Sequence, residues 1–186
     1  MDHTPFVGKI IEAGDNLDYK KYIRDIQDFP RKGVNFKDIT PLLKTPECYG
    51  GIVKEFMEFT RSLEPDVITA IDARGFLFGS PLAIELNKPF IPVRKVGKLP
   101  FKTVRCSYDL EYGEGILEIH EDAIIPGQRV IIVDDVLASG GTMSAAVEIL
   151  DKCGATIVGC CVVVELTEFN ARNNLNLQNI LSLVKY

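Results

Sequence analysis

The run Val130-Ile131-Ile132-Val133-Asp134-Asp135-Val136-Leu137-Ala138-Ser139-Gly140-Gly141-Thr142 constrains the fold of this chain more than any other stretch. Consecutive β-branched residues read as a buried strand, two acids follow at its end, and small residues then lead into a helical pattern. From Pro65 onward the same rhythm recurs: short Val- and Ile-rich runs alternate with helical stretches, the sequence form of βαβ units and a mostly parallel sheet flanked by helices. Strands are expected at Val67–Ile71, Phe90–Val93, Arg129–Val133, Thr156–Val164 and Ile180–Val184, and helices at Phe76–Glu85 and Thr142–Cys153. Gly154 stands where the second helix should end. Ser107–Ile119 departs from the rhythm, because two alternating segments flank Gly113-Glu114-Gly115, the pattern of a hairpin projecting from the sheet. Upstream, the apolar spacing of Asp18–Ile26 predicts a short amphipathic helix. Asp28–Gly33 is a loop, and Thr45-Pro46 opens a helix that runs from Glu47 to Leu63.

With 186 residues, no repeat and no low-complexity linker, the chain reads as one α/β domain, in which residues 1–40 form an N-terminal extension and residues 65–186 the core. The 46% hydrophobic and 25% charged composition is that of a folded globule, and the net charge of -5 disfavours a nucleic-acid partner. The apolar run Cys160–Val164 is far shorter than the roughly 20 residues of a membrane-spanning helix. Met1–Gly14 lacks the apolar core of a secretory signal, so a cytoplasmic protein without a membrane partner is expected. Five cysteines without C-x-x-C spacing, and only two histidines, give little material for a metal cage or a histidine-based triad.

The chemistry must therefore rest on other groups. Ligands of open α/β sheets bind at the carboxyl ends of strands, which is where Asp134 and Asp135 fall. The small residues Ala138–Thr142 let backbone N–H groups approach an anion, the following helix adds its positive end, and Ser139 and Thr142 offer hydroxyl donors. A phosphate monoester fits that loop. The paired carboxylates repel phosphate, so they accept hydrogen bonds from neutral hydroxyls such as those of a ribose, or touch a metal. Asp72-Ala73-Arg74-Gly75-Phe76 repeats the arrangement at a second strand end, which suggests a second phosphate group. The cations Arg94, Lys95, Lys98, Lys102 and Arg105, with no acid until Asp109, then form a basic loop placed to neutralise a pyrophosphate.

Val130–Thr142 resembles the phosphoribosyl-pyrophosphate (PRPP) signature of type I phosphoribosyltransferases. The chain from Phe29 to Leu166 is similar to the adenine branch of that family, through Phe29-Pro30 with Gly33–Ile39, Arg74-Gly75-Phe76, Arg94-Lys95 with Gly97-Lys98-Leu99-Pro100, and Tyr108 with Leu110-Glu111-Tyr112-Gly113. The resemblance implies a type I phosphoribosyltransferase-like fold with an N-terminal base-binding hood and a flexible loop and hairpin, about residues 95–115, over the active site. It implies transfer of the 5-phosphoribosyl group of PRPP to adenine, giving AMP and pyrophosphate with Mg²⁺ held mainly by PRPP, and a homodimer. Ala138, Ser139, Gly140, Gly141 and Thr142 would hold the 5′-phosphate. Arg74, Arg94, Lys95 and Lys98 would hold the pyrophosphate. Asn35, Phe36 and Arg74 would meet adenine, while Glu111, Asp134, Asp135 and Arg74 would act in catalysis and Tyr112 in loop closure. Phe29 is read as a core aromatic.

Three positions depart from the family pattern. Asn35 stands where relatives carry a small apolar residue, Phe101 where a glycine is common, and Asn170–Asn174 where relatives have a charged stretch; residues 168–178 receive no role. Two alternatives stand beside adenine transfer. Transfer to another purine base would use a different hood, against which the segment Gly33–Ile39 speaks, and a non-catalytic PRPP-binding regulator could discard Arg94, Lys95, Lys98 and Glu111, all of which are retained.

Overall fold

The computed structural model describes residues 17–110 and 113–186. It divides into two compact units between Gly51 and Ile52.

In the second unit, a seven-stranded sheet has the order β5-β6-β4-β3-β7-β8-β9, formed by β3 (Val67–Ile71), β4 (Phe90–Lys95), β5 (Thr103–Leu110), β6 (Gly113–His120), β7 (Arg129–Leu137), β8 (Thr156–Glu165) and β9 (Ile180–Lys185). The five strands from β4 to β9 pair in parallel, while β6 pairs antiparallel with both β4 and β5. Every residue of β3 and the first four apolar residues of β7 after Arg129 are buried, which is why these strands read as Val- and Ile-rich runs without polar alternation. Helix α3 (Gly75–Leu86) packs on β3 and β7, and α4 (Gly141–Lys152) on β5, β6 and β8. Leu82 and Phe78 on α3, and Met143, Ala146, Ile149 and Leu150 on α4, bury the apolar faces. Gly154, at φ +79°, follows α4 as the sequence anticipates.

The expected hairpin is present and longer than anticipated, spanning Thr103–His120. The five expected strands all form; β3 keeps its expected bounds, β8 and β9 each run one residue further, and β4 and β7 run further still. Strand β4 continues through Arg94 and Lys95 because these residues pair with Glu118 and Leu117 of β6. Strand β7 continues through both acids to Leu137 because β8 runs alongside as far as Glu165.

In the first unit, a helix over Asp18–Ile26 does not form. Tyr19–Tyr22 make one 3-10 turn, and Arg24–Gln27 form β1, paired antiparallel with β2 (Asn35–Asp38). The cross-strand neighbours explain the outcome: Arg24 and Asp38 form an ion pair, as do Asp25 and Lys37, so a pairing that sequence spacing cannot show outweighs the weak helical period. The linking loop contains a cis Phe29–Pro30 peptide and Gly33 at φ +89°, whose amide donates to Asp28 Oδ1 at 2.6 Å. Phe29 is half-exposed rather than core, its ring edge-on to Phe36 at 5.2 Å. Asp38 Oδ1 accepts the Thr40 amide at 2.9 Å and starts α1 (Thr40–Leu43), after which α2 (Pro46–Ser62) begins at the expected proline. No helix among the described residues is long and apolar enough to cross a membrane.

Candidate active site

Two strand-to-helix corners lie side by side, because β3 and β7 are parallel neighbours and each ends at the same edge of the sheet. The first corner, Asp72–Gly75, joins β3 to α3. The second, Ala138–Gly140, joins β7 to α4. They meet at Gly75: a Cβ there would lie 2.6 Å from the carbonyl oxygen of Val133 and 3.1 Å from Asp134 Cα, so only glycine lets α3 start this close to β7.

Charged side chains hold the first corner together. Arg74 Nε lies 2.9 Å from Asp135 Oδ2, and Arg94 Nε donates to Asp72 Oδ2 at 3.1 Å with its guanidinium 5.8 Å from the centre of the Phe76 ring. Asp134 Oδ1 accepts the amide of Asp135 at 2.9 Å. Burial raises the Asp134 carboxyl well above the ordinary Asp value, and the neighbouring charge of Asp135 raises it further. Asp135 is also raised by burial, with Arg74 and hydrogen bonds opposing the shift. The two acids thus bind their protons more tightly than free carboxylates, Asp134 the more so.

The second corner carries no charged side chain. Gly140 precedes α4 at φ +91°, a conformation that costs glycine little, and its carbonyl accepts the Ser144 amide at 2.8 Å. The helix begins at Gly141, one residue before the expected Thr142. Its first-turn N–H groups have no partner within the helix and carry the positive end of the helix dipole. Ser139 is exposed, and Ala138, Gly141 and Thr142 are half-buried. Neutral donors on a backbone between a strand and a helix have the chemistry to take up an anion without a counter-charge.

The cations expected on one basic loop are distributed among several elements. Arg94 and Lys95 belong to β4 and Arg105 to β5, so only Lys98 and Lys102 stand on the connecting residues 96–102. That connection is tied down by Glu118, a fully buried carboxylate on β6. Glu118 Oε1 accepts the amides of Lys98 at 2.9 Å and Leu99 at 3.0 Å, and Oε2 accepts from Thr103 Oγ1 at 3.3 Å and faces Arg105 Nε at 3.3 Å. The two amides, Arg105 and Thr103 hold the Glu118 carboxyl below the ordinary Glu value despite its burial. Sequence reading overlooked Glu118. The signal was there: a lone acid inside Ile116-Leu117-Glu118-Ile119, in which Leu117, Glu118 and Ile119 are all buried.

The second unit therefore brings together Arg74, Arg94, Asp134, Asp135 and Ala138–Thr142, with Lys95 and Lys98 exposed beyond them on β4 and its connection. Asn35 and Phe36 lie in the first unit, Asn35 exposed and paired with Gln27 across the β1–β2 ladder. Glu111 and Tyr112 lie outside the described residues.

Comparison with known proteins bears on this arrangement. Residues 50–174 match the phosphoribosyl transferase domain family. An adenine phosphoribosyltransferase of Petrotoga mobilis is 51% identical over 170 residues, covering 91% of this chain and 98% of the relative. The crystal structure of adenine phosphoribosyltransferase from Thermoanaerobacter pseudethanolicus superposes with a TM-score of 0.87 at 45% identity, covering 90% of this chain and 98% of that one. That of the Saccharomyces cerevisiae enzyme, complexed with an imino-altritol bisphosphate and adenine, gives 0.84 at 34% identity over 89% of this chain and 96% of that one. From the two corners, the ladder between them and these likenesses together, the chain belongs to the phosphoribosyl transferase domain family and, within it, to the adenine phosphoribosyltransferases.

Proposed function

We propose that this chain transfers the 5-phosphoribosyl group of PRPP to adenine, giving AMP and pyrophosphate, as a step of purine salvage in the cytoplasm. The observation that carries the reading is a juxtaposition: the uncharged, small-residue corner of β7–α4 beside a cluster of cations and carboxylates drawn from β3–α3, β4 and the end of β7. A molecule with a phosphate monoester at one end, a pyrophosphate at the other and a hydroxyl-bearing ring between them matches that sequence of groups. The 34%-identical yeast enzyme binds adenine together with a bisphosphate. All five cysteines are free, in keeping with a reducing compartment.

In this reading Ala138–Thr142 seat the 5′-phosphate. Pyrophosphate competes for Arg74 and Arg94, with Lys95 and Lys98 adding charge, and so releases Asp135 and Asp72 from their ion pairs. The freed Asp135 accepts a hydrogen bond from a ribose hydroxyl, and Asp134 beside it supports the ring from the same side. As the bond to pyrophosphate breaks, positive charge gathers on the ribose, and a carboxylate holds a cation more strongly than a neutral sugar, which lowers the barrier. The resemblance gives Glu111 the proton that leaves the attacking base nitrogen and Tyr112 a role in loop closure. The resemblance gives Asn35 and Phe36 the recognition of adenine, Phe36 by stacking.

Among the described residues no group of three or more His, Cys, Asp or Glu side chains is placed to cage a metal. Mg²⁺ is commonly bound through one or two carboxylates plus substrate phosphates, a partial role that Asp134 and Asp135 fit. When bound, the ion neutralises pyrophosphate charge.

The active form is a homodimer in this proposal. Helix α3 is apolar on nearly all sides, yet Leu77 and Ile84, two turns apart, are 39% and 79% exposed, and Ile84 borders an open surface groove that it shares with Asn87, Lys88 and Phe90. A second copy covering this stripe would bury it. Ile84→Glu should give a monomer by sedimentation; an unchanged dimer would move the interface elsewhere.

The reaction itself is tested by offering the purified protein PRPP, Mg²⁺ and adenine, hypoxanthine or guanine in separate assays of pyrophosphate release. Release with adenine is expected, and release with another purine alone would replace adenine as the acceptor.

A further inference from the structure

The segment that follows β8 has no part in the reaction so far. Yet Arg172 makes a densely bonded ion pair there. Its Nε and one terminal nitrogen donate to the two carboxylate oxygens of Glu165, each at 2.6 Å, while the other terminal nitrogen reaches the carbonyl of Ile180 at 3.1 Å. Ser182 closes the ring, accepting from Arg172 at 2.9 Å and donating to Glu165 Oε2 at 2.5 Å. Three segments are thereby joined: the end of β8, the short helix α5 (Ala171–Asn174) and β9.

Two links run from this network to the phosphate seat. Glu165 is the ladder partner of Leu137, the residue before Ala138, and the next amide, that of Leu166, donates to the Leu137 carbonyl at 2.9 Å. At the other end of the loop, Ala171, the neighbour of Arg172, is buried against Gly140: a Cβ on Gly140 would meet the Ala171 Cβ at 3.2 Å. Both ends of Ala138–Gly140 therefore rest on residues held by one bidentate pair. Removing charges from water costs about as much as such a pair regains, so its use is better sought in geometry than in stability.

We propose that Arg172 is a positioning residue for the phosphate seat, holding α5 against Gly140 and the end of β8 against Leu137 so that the seat is formed before ligand arrives. The inference rests on the reading of Ala138–Thr142 as the 5′-phosphate site. Displacement of a seat by a fraction of an ångström weakens phosphate binding more than it alters events at the ribose carbon.

The test is to compare wild type, Arg172→Lys and Arg172→Met by the Kd for ribose 5-phosphate, by KM for PRPP against kcat, and by Tm. Arg172→Met should raise the Kd for ribose 5-phosphate and KM for PRPP about 10-fold while kcat stays within about 3-fold, with Arg172→Lys in between because one of the two bonds to Glu165 survives. A lower Tm with unchanged ribose 5-phosphate affinity would reduce Arg172 to a strut and overturn the proposal. If Arg172→Met does not fold, Ser182→Ala removes one arm of the network and should weaken ribose 5-phosphate binding in the same direction; no change overturns it. Ribose 5-phosphate binding needs no turnover, so a wild-type protein that binds it but releases no pyrophosphate would count against the reaction and not against the brace.

Discussion

The two corners of the site share a topology and solve different problems. Around β3–α3 the polar groups are charged and ion-paired with neighbouring strands, Arg74 with Asp135 of β7 and Arg94 of β4 with Asp72. At β7–α4 the donors are backbone amides and hydroxyls, fixed by the strand, by Gly140 and by the helix start. Cations on long side chains exchange partners at low cost, which suits a group that must be gripped and then released. A backbone seat does not rearrange, which suits a group that stays on the sugar through the reaction. On the function proposed here, the sheet supplies one rigid and one exchangeable anion site from two uses of the same corner.

The largest expected effect comes from the charges between the corners. Asp135→Asn removes the partner of Arg74 and the carboxylate proposed to face the ribose, and should lower kcat by about 100-fold or more with a smaller change in the Kd for PRPP. Equal losses in both would place Asp135 in ground-state binding instead. Gly75→Ala attacks the joint itself: with a Cβ 2.6 Å from a backbone oxygen, α3 must back away from β7, costing about 1–3 kcal/mol in unfolding free energy and activity with it. Unchanged stability by denaturant titration would mean that the helix start yields freely. Glu118→Gln should free residues 96–102, speeding tryptic cleavage at Lys98 and Lys102 and raising KM for PRPP by about 3- to 10-fold, less than the first two effects. Unchanged cleavage would show the connection is held by other contacts.

The smallest effect is in pH dependence. Asp134 has a raised folded-state pKa, so the native state holds more protons than the unfolded chain; its contribution is present below the ordinary Asp value and fades as pH rises through the folded value. Glu118 and Glu165 are lowered and act oppositely, stabilising above the ordinary Glu value and failing as pH falls. Asp134→Asn should therefore flatten the loss of stability on the rising side of the pH profile while leaving the acid side unchanged. A flattened acid side would reverse the assignment.

Much of this was legible in the sequence where local pattern and tertiary structure agree. The Val- and Ile-rich runs of β3, β7 and β8 reveal a doubly buried sheet, and the small residues after Leu137 mark the turn into α4. Where pairing partners distant in sequence decide, the pattern misleads: Tyr19, Tyr22, Ile23 and Ile26 have helical spacing, but Phe36 and Lys37 claim Ile26 and Asp25 for a ladder. The same holds for side chains. Arg94 and Arg105 read as members of a free basic run because their carboxylates, Asp72 and Glu118, are 22 and 13 residues away along the chain. Arg172 and Glu165 are only seven residues apart, yet nothing in Asn170–Asn174 alone indicates that β9 closes their network.

The division between a rigid and an exchangeable anion site is measured most directly by the salt dependence of two Kd values, for ribose 5-phosphate and for magnesium pyrophosphate, on the wild-type protein. Between about 50 and 500 mM salt, pyrophosphate binding should weaken by more than about 10-fold and ribose 5-phosphate binding by about 2- to 3-fold, because screening acts on exposed side-chain charges far more than on backbone donors in a fixed seat. Equal slopes for the two ligands would contradict the account.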